Sequence, residues 1–120
     1  MKVNNDYLNQ HILIKELGAK FVYRKMPKEI FEKTVTMQDI VNAFPKGGLI
    51  TLKTLRRKKM AGKHSNYLKV VDAVPVSQKY TIIAHKFGLN VVKNVVGCNG
   101  TIICIAFKGG EEPSFNNILR

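Results

Sequence analysis

The sequence predicts a β-rich α+β fold, a small antiparallel barrel with one or two helices, and three observations carry that expectation. Short apolar runs rich in β-branched residues recur at 49–55, 67–74, 80–84 and 101–107. Asn99-Gly100 lies between two such stretches, and Asn-Gly is the favoured dipeptide of a two-residue type I′ hairpin because both positions need positive φ. One well-formed amphipathic helix precedes them at 36–44. A winged helix-turn-helix is the alternative, for reasons that arise at residues 78–96.

From the N-terminus, Leu8, Ile12 and Leu13 fall at helical spacing within 5–17, with Gly18 as a stop. Residues 19–25, with Phe21, Val22 and Tyr23, predict a strand that Pro27 ends. Met37, Ile40, Val41 and Phe44 stand at i, i+3, i+4 and i+7, with Thr36 as cap and Asp39 in the first turn. Pro45, Gly47 and Gly48 terminate that helix. Residues 49–55 and 67–74 then predict paired strands joined by a long basic hairpin loop, 56–66, in which Gly62, Ser65 and Asn66 supply turn chemistry.

Residues 77–96 read two ways. As β, Tyr80 to Ala84 is a strand and 87–90 a turn before the Val91-Val92 run. As α, Ala84 and Gly88 suit the first helix and turn of a helix-turn-helix, with 90–96 as recognition helix and 101–108 as wing. Counting back from Asn99-Gly100 pairs Val95-Val96 with the strand 101–107 and places Cys98 and Cys104 out of register, which predicts free thiols. The strand 101–107 is apolar on both faces and so is expected at the centre of a sheet.

One hundred and twenty residues at 45% hydrophobic make one ordinary domain, 1–108, with a flexible tail, 109–120, leaving at Gly109-Gly110. No apolar run has the roughly 18 residues of a membrane span, and the start of the chain lacks a signal-peptide core. A soluble, cytoplasmic protein is expected, with self-association left open. Two cysteines and three dispersed histidines give no disulfide framework and no metal-ligand spacing, and no cofactor is implied.

The net charge of +12 is regional. Residues 40–110 hold twelve basic side chains and one acid, Asp72, and so account for +11 of it. Such a field costs a compact domain self-repulsion, which points to a polyanionic partner, nucleic acid first. Lys53, Arg56, Arg57, Lys58, Lys59, Lys63 and Lys69 are the candidate phosphate contacts, with Lys86 beyond them. Tyr67, at the exit of the loop, and Tyr80, beside Lys79, are the candidates for base stacking, with the core as the alternative, whereas Phe87 and Phe107 fit the core. Clustered carboxylates for metal-dependent nuclease chemistry are missing from the basic region. The surviving catalytic alternative is a small metal-independent ribonuclease toxin using His64 or His85 with Arg56, Arg57 and Tyr80. The leading expectation is non-enzymatic, largely sequence-independent binding of single-stranded DNA, with RNA second.

The layout of residues 49–108, a long basic hairpin loop within a small β-rich domain, resembles compact phage-encoded single-stranded DNA-binding proteins built on OB-like barrels. The resemblance lies in architecture and charge, and no residue role is carried over. It implies binding in a groove lined by strands and loops, in the service of DNA replication. The usual barrel has its helix between the third and fourth strands, whereas here the best helix precedes the basic segment.

Overall fold

The computed structural model describes residues 12–108, and within them every strand pairs in parallel with its neighbours. Four strands form one sheet in the order β1 (Lys20–Arg24), β7 (Thr101–Phe107), β5 (Tyr80–Ala84), β3 (Gly48–Ile50). Three form a second sheet in the order β2 (Glu32–Thr36), β4 (Tyr67–Val71), β6 (Lys86–Phe87). Successive strands therefore alternate between sheets, and each returns to its own sheet only after crossing the other. Parallel neighbours need such crossovers, where a hairpin joins antiparallel ones. This overturns the expected antiparallel OB-like barrel: among the described residues the strands are parallel and close no barrel, and 49–55 is not hairpin-paired with 67–74. Between the sheets lies one core, with Ile50, Ile82, Ala84, Ile102 and Cys104 from the first and Val35, Leu68, Val70 and Phe87 from the second.

Four helical segments accompany the described strands: α1 (residues 12–16), α2 (Met37–Ala43), α3 (Leu52–Arg57) and α4 (Leu89–Gly97). The second is the one the sequence predicts, with Thr36 Oγ1 accepting from the Asp39 N–H and with Met37 and Ile40 buried. Of the predicted first helix, Leu8 lies outside the described residues; Ile12 and Leu13 are exposed and Ile14 is the buried residue instead.

The helix α3 replaces most of the predicted strand 49–55. Thr51 and Thr54 form a reciprocal capping box that satisfies two orphan N–H groups, and Leu55 anchors the turn in the core. The helix α4 replaces the second half of the β reading of 77–96. Its valines have modest helix propensity, but Val91, Val92 and Val95 bury one face, and that burial outweighs the local preference. The first half, β5 and β6, is strand, so no first helix exists and the helix-turn-helix alternative also fails.

Three helices end alike. After α1 the Ala19 N–H reaches the Ile14 carbonyl, after α3 the Met60 N–H reaches that of Leu55, and after α4 the Gly100 N–H reaches that of Val95. Each is a Schellman closure, which needs a left-handed residue just before the last donor. Gly18 (φ +111°), Lys59 (φ +61°) and Asn99 (φ +65°) hold that position. Asn99-Gly100 therefore ends a helix and makes no hairpin. Cys98 and Cys104 are free thiols as expected, although the register behind that expectation is not formed.

Between β5 and β6 the chain passes from one sheet to the other through a single residue, His85. Its N–H donates to the Leu68 carbonyl at 2.9 Å, and its Nδ1 accepts from the Leu68 N–H at 3.0 Å. A ring nitrogen thus stands in for a ladder carbonyl. The His85 ring stacks on Tyr67, with centroids 4.7 Å apart, and burial lowers its pKa to about 4. The predicted tail, 109–120, and its Glu111 and Glu112 lie outside the described residues.

Candidate nucleic-acid interface

The basic segment begins as the last turn of α3 and continues as an irregular connection to β4. Cations at a helix C-terminus are favoured by the helix dipole, which explains part of the Arg56 to Lys59 run locally. The cations of the segment nevertheless separate into different roles.

Arg56 is partly buried and turned inward. Its Nε donates to the Gly62 carbonyl at 3.3 Å and a terminal guanidinium nitrogen donates to the Ser65 carbonyl. One side chain thus holds both ends of the connection, which makes Arg56 a positioning residue rather than the phosphate contact the sequence suggests. A planar fork of fixed donors suits this clamp as an ammonium does not. Lys58 lies over the Phe44 ring, its Nζ 5.3 Å from the centroid, in cation–π range. Arg57, Lys58, Lys59 and Lys63 are exposed, as is Lys53 on α3. Together they form a cluster of cations beside a connection whose backbone Arg56 and Asn66 hold, with no acid in the sequence between residues 40 and 71.

Asn66 fastens the far end of the connection to the segment before β2. Its Oδ1 accepts from the Phe31 N–H at 2.7 Å, its own N–H donates to the Phe31 carbonyl at 3.0 Å, and its Nδ2 donates to the Glu29 carbonyl at 2.8 Å. This brings Phe31, 48% exposed, to the exit of the basic connection. Tyr23, 59% exposed beside Arg24, is the other large aromatic side chain exposed among the described residues. The sequence reading missed Phe31, because the contact that places it spans 35 residues.

Tyr67 and Tyr80 do not fit the stacking role. Each is 1% exposed. Tyr67 packs in a cluster of three rings with His85 and Phe107, and its hydroxyl pKa is raised, by burial first and then by Glu32 and Cys104. Tyr80 donates its hydroxyl to the Phe44 carbonyl at the end of α2. The ribonuclease constellation is likewise not assembled: Tyr80 and His85 are core residues, and of the residues named for it only His64 and Arg57 are exposed on the basic connection.

Lys69 and Lys86 are register partners on β4 and β6, so their side chains leave the three-stranded sheet on one face. Burial and then the Lys69 charge lower the pKa of Lys86, while Glu32 opposes them. They form a half-buried pair on a strand face, apart in kind from the exposed loop cations.

A cleft of about 450 Å³ opens between β2, α2 and the end of the basic helix. Lys33, Thr34, Asp39, Asn42 and Lys59 are its polar lining, and Val35, Ala43 and Met60 its apolar lining. Lys59 belongs to both the loop and the cleft. No three His, Cys, Asp or Glu side chains gather as a metal-ligand set among the described residues, and no helix there is long and apolar enough to cross a membrane. No family model matches the chain.

Proposed function

We propose that this protein binds single-stranded nucleic acid without catalysis, DNA ahead of RNA, through the connection 57–66 and its surroundings. The observation that carries the reading is Arg57, Lys58, Lys59 and Lys63, all exposed on a segment that is clamped by Arg56 and Asn66 and contains no acid of its own. Cations clustered on such a segment can follow a phosphate backbone and gain affinity by counterion release. Preordering the loop lowers the entropy that binding must otherwise overcome.

Single strands are favoured over duplex because an exposed ring, Phe31, adjoins these cations, and an unpaired base has a free face to stack on it. Lys53 extends the cationic track along α3. Lys69 and Lys86 are secondary contacts, weaker because they are half-buried and Glu32 lies near Lys86.

The test is a titration of affinity against salt for matched single-stranded and duplex oligonucleotides. The single strand is expected to bind more tightly, with log K falling by about 0.7 per phosphate contacted for each tenfold rise in salt. Equal binding to both forms would remove the stacking argument. A flat salt response would remove the phosphate contacts.

A further inference from the structure

We infer that the cleft between β2, α2 and Lys59 receives one unstacked base of the bound strand and favours guanine. The inference rests on the nucleic-acid reading and adds to it a base preference. Two features argue for it.

First, the cleft is continuous with the proposed interface through Lys59, and its volume of about 450 Å³ falls within the roughly 300 to 1,000 Å³ typical of small-ligand sites. Val35, Ala43 and Met60 in its lining offer apolar surface for a ring, and Lys33 and Lys59 in the same lining supply cations for the adjoining phosphates.

Second, the polar groups match one base edge. Asp39 and Asn42 are three residues apart on α2 and so share a helix face. The Asp39 N–H is used by the Thr36 cap, but no described residue donates to its carboxylate, an acceptor of two hydrogen bonds. Asn42 Oδ1 accepts from Gln38 Nε2 at 2.9 Å, which turns its Nδ2 donor to other use. Guanine offers two adjacent donors, N1–H and the N2 amine, beside the O6 acceptor. Adenine and cytosine each set an acceptor beside their amine, and thymine has one donor between two acceptors. Only guanine places two donors against a carboxylate, with O6 left for the Asn42 amide. A lone carboxylate amid a cationic surface weakens phosphate binding, so its presence in this cleft suits a donor-bearing ligand.

The test compares an all-thymine oligonucleotide with one carrying a single central dG, binding to the parent and to Asp39→Asn. The parent is expected to prefer the dG strand by about tenfold, the discrimination of one bidentate contact. Asp39→Asn is expected to narrow the ratio to about twofold or less while holding or raising affinity for the all-thymine strand, since an isosteric acid-to-amide change removes a negative charge. The variant keeps the backbone N–H that the helix cap uses. Equal affinity of the parent for both strands, or a preference that survives in Asp39→Asn, overturns the base-reading inference and leaves the proposed function standing. Failure of the parent to bind either strand overturns both.

Discussion

The backbone N–H of Met60 closes on the carbonyl of Leu55 at 2.8 Å, and the turn so formed forces the enclosed residue, Lys59, to φ +61°. The same closure after α1 encloses glycine and after α4 asparagine, the two residues that tolerate this backbone best. A lysine here costs stability that the fold does not require, and its side chain faces both the basic connection and the cleft. Strain kept at such a place suggests function.

Lys59→Gly is accordingly expected to stabilise the protein by roughly 0.5 to 1 kcal/mol, the relief of the left-handed backbone less the added freedom of the unfolded chain. The same variant is expected to bind single-stranded DNA more weakly. Chemical denaturation and oligonucleotide titration on one preparation check the opposite signs. A variant weakened in both would show that Lys59 serves the fold.

Arg56→Lys is expected to reduce affinity although the net charge is unchanged, because an ammonium cannot hold the Gly62 and Ser65 carbonyls as the guanidinium fork does. Arg57→Lys, which alters an exposed cation of no such geometry, is expected to leave affinity within about twofold. Hydrogen exchange of the amides at 59–66 should quicken in the first variant and hold steady in the second.

His85 gives the fold a pH dependence whose sign is set by burial. The unfolded chain protonates it near the ordinary 6.5 and the folded protein only near 4. Its contribution is therefore fully present above pH 6.5 and is lost as pH falls from there toward 4, amounting to at most about 3 kcal/mol. Protonation at Nδ1 also ends its acceptance from the Leu68 N–H. His85→Asn, whose oxygen can occupy the Nδ1 position, is expected to flatten this limb of a stability–pH curve at the cost of the Tyr67 stacking.

Gly100→Ala is expected to destabilise by roughly 3 kcal/mol or more, since a Cβ there would stand 2.5 Å from the Tyr80 carbonyl oxygen and 2.7 Å from Val95 Cγ1. Asn99→Gly, one residue away, meets only a backbone that glycine prefers and should be neutral or mildly stabilising. Thermal melts of the two variants check the contrast.

Much of the local structure was legible in the sequence, and the way it assembles was not. The helix α2, the strands β1, β4, β5 and β7 and the stop at Gly18 follow from periodicity, caps and β-branched runs. Asn99-Gly100 announced positive φ at both positions, and only Asn99 adopts it, because the same dipeptide ends a helix or turns a hairpin according to what precedes it. What precedes it is a valine-rich helix that owes its conformation to burial of Val91, Val92 and Val95. Thr51 and Thr54 carried a capping signal inside an apparent β run, and it prevailed over β propensity. At the candidate site, charge found the loop, while the separate roles of its cations depend on folded geometry. Arg56 bonds nine residues ahead, Asn66 reaches back to Phe31, and the two tyrosines chosen for stacking are claimed by the core.

The most direct test of this interface is the salt dependence of single-stranded DNA binding by the parent and by a protein carrying Arg57→Ala, Lys58→Ala, Lys59→Gly and Lys63→Ala. Removing four phosphate-binding cations, each worth about 0.7 in the slope of log K against log salt, should make that slope shallower by about 3, with the folded state intact by circular dichroism. An unchanged slope and affinity in that variant would contradict the assignment of the connection 57–66 as the nucleic-acid interface.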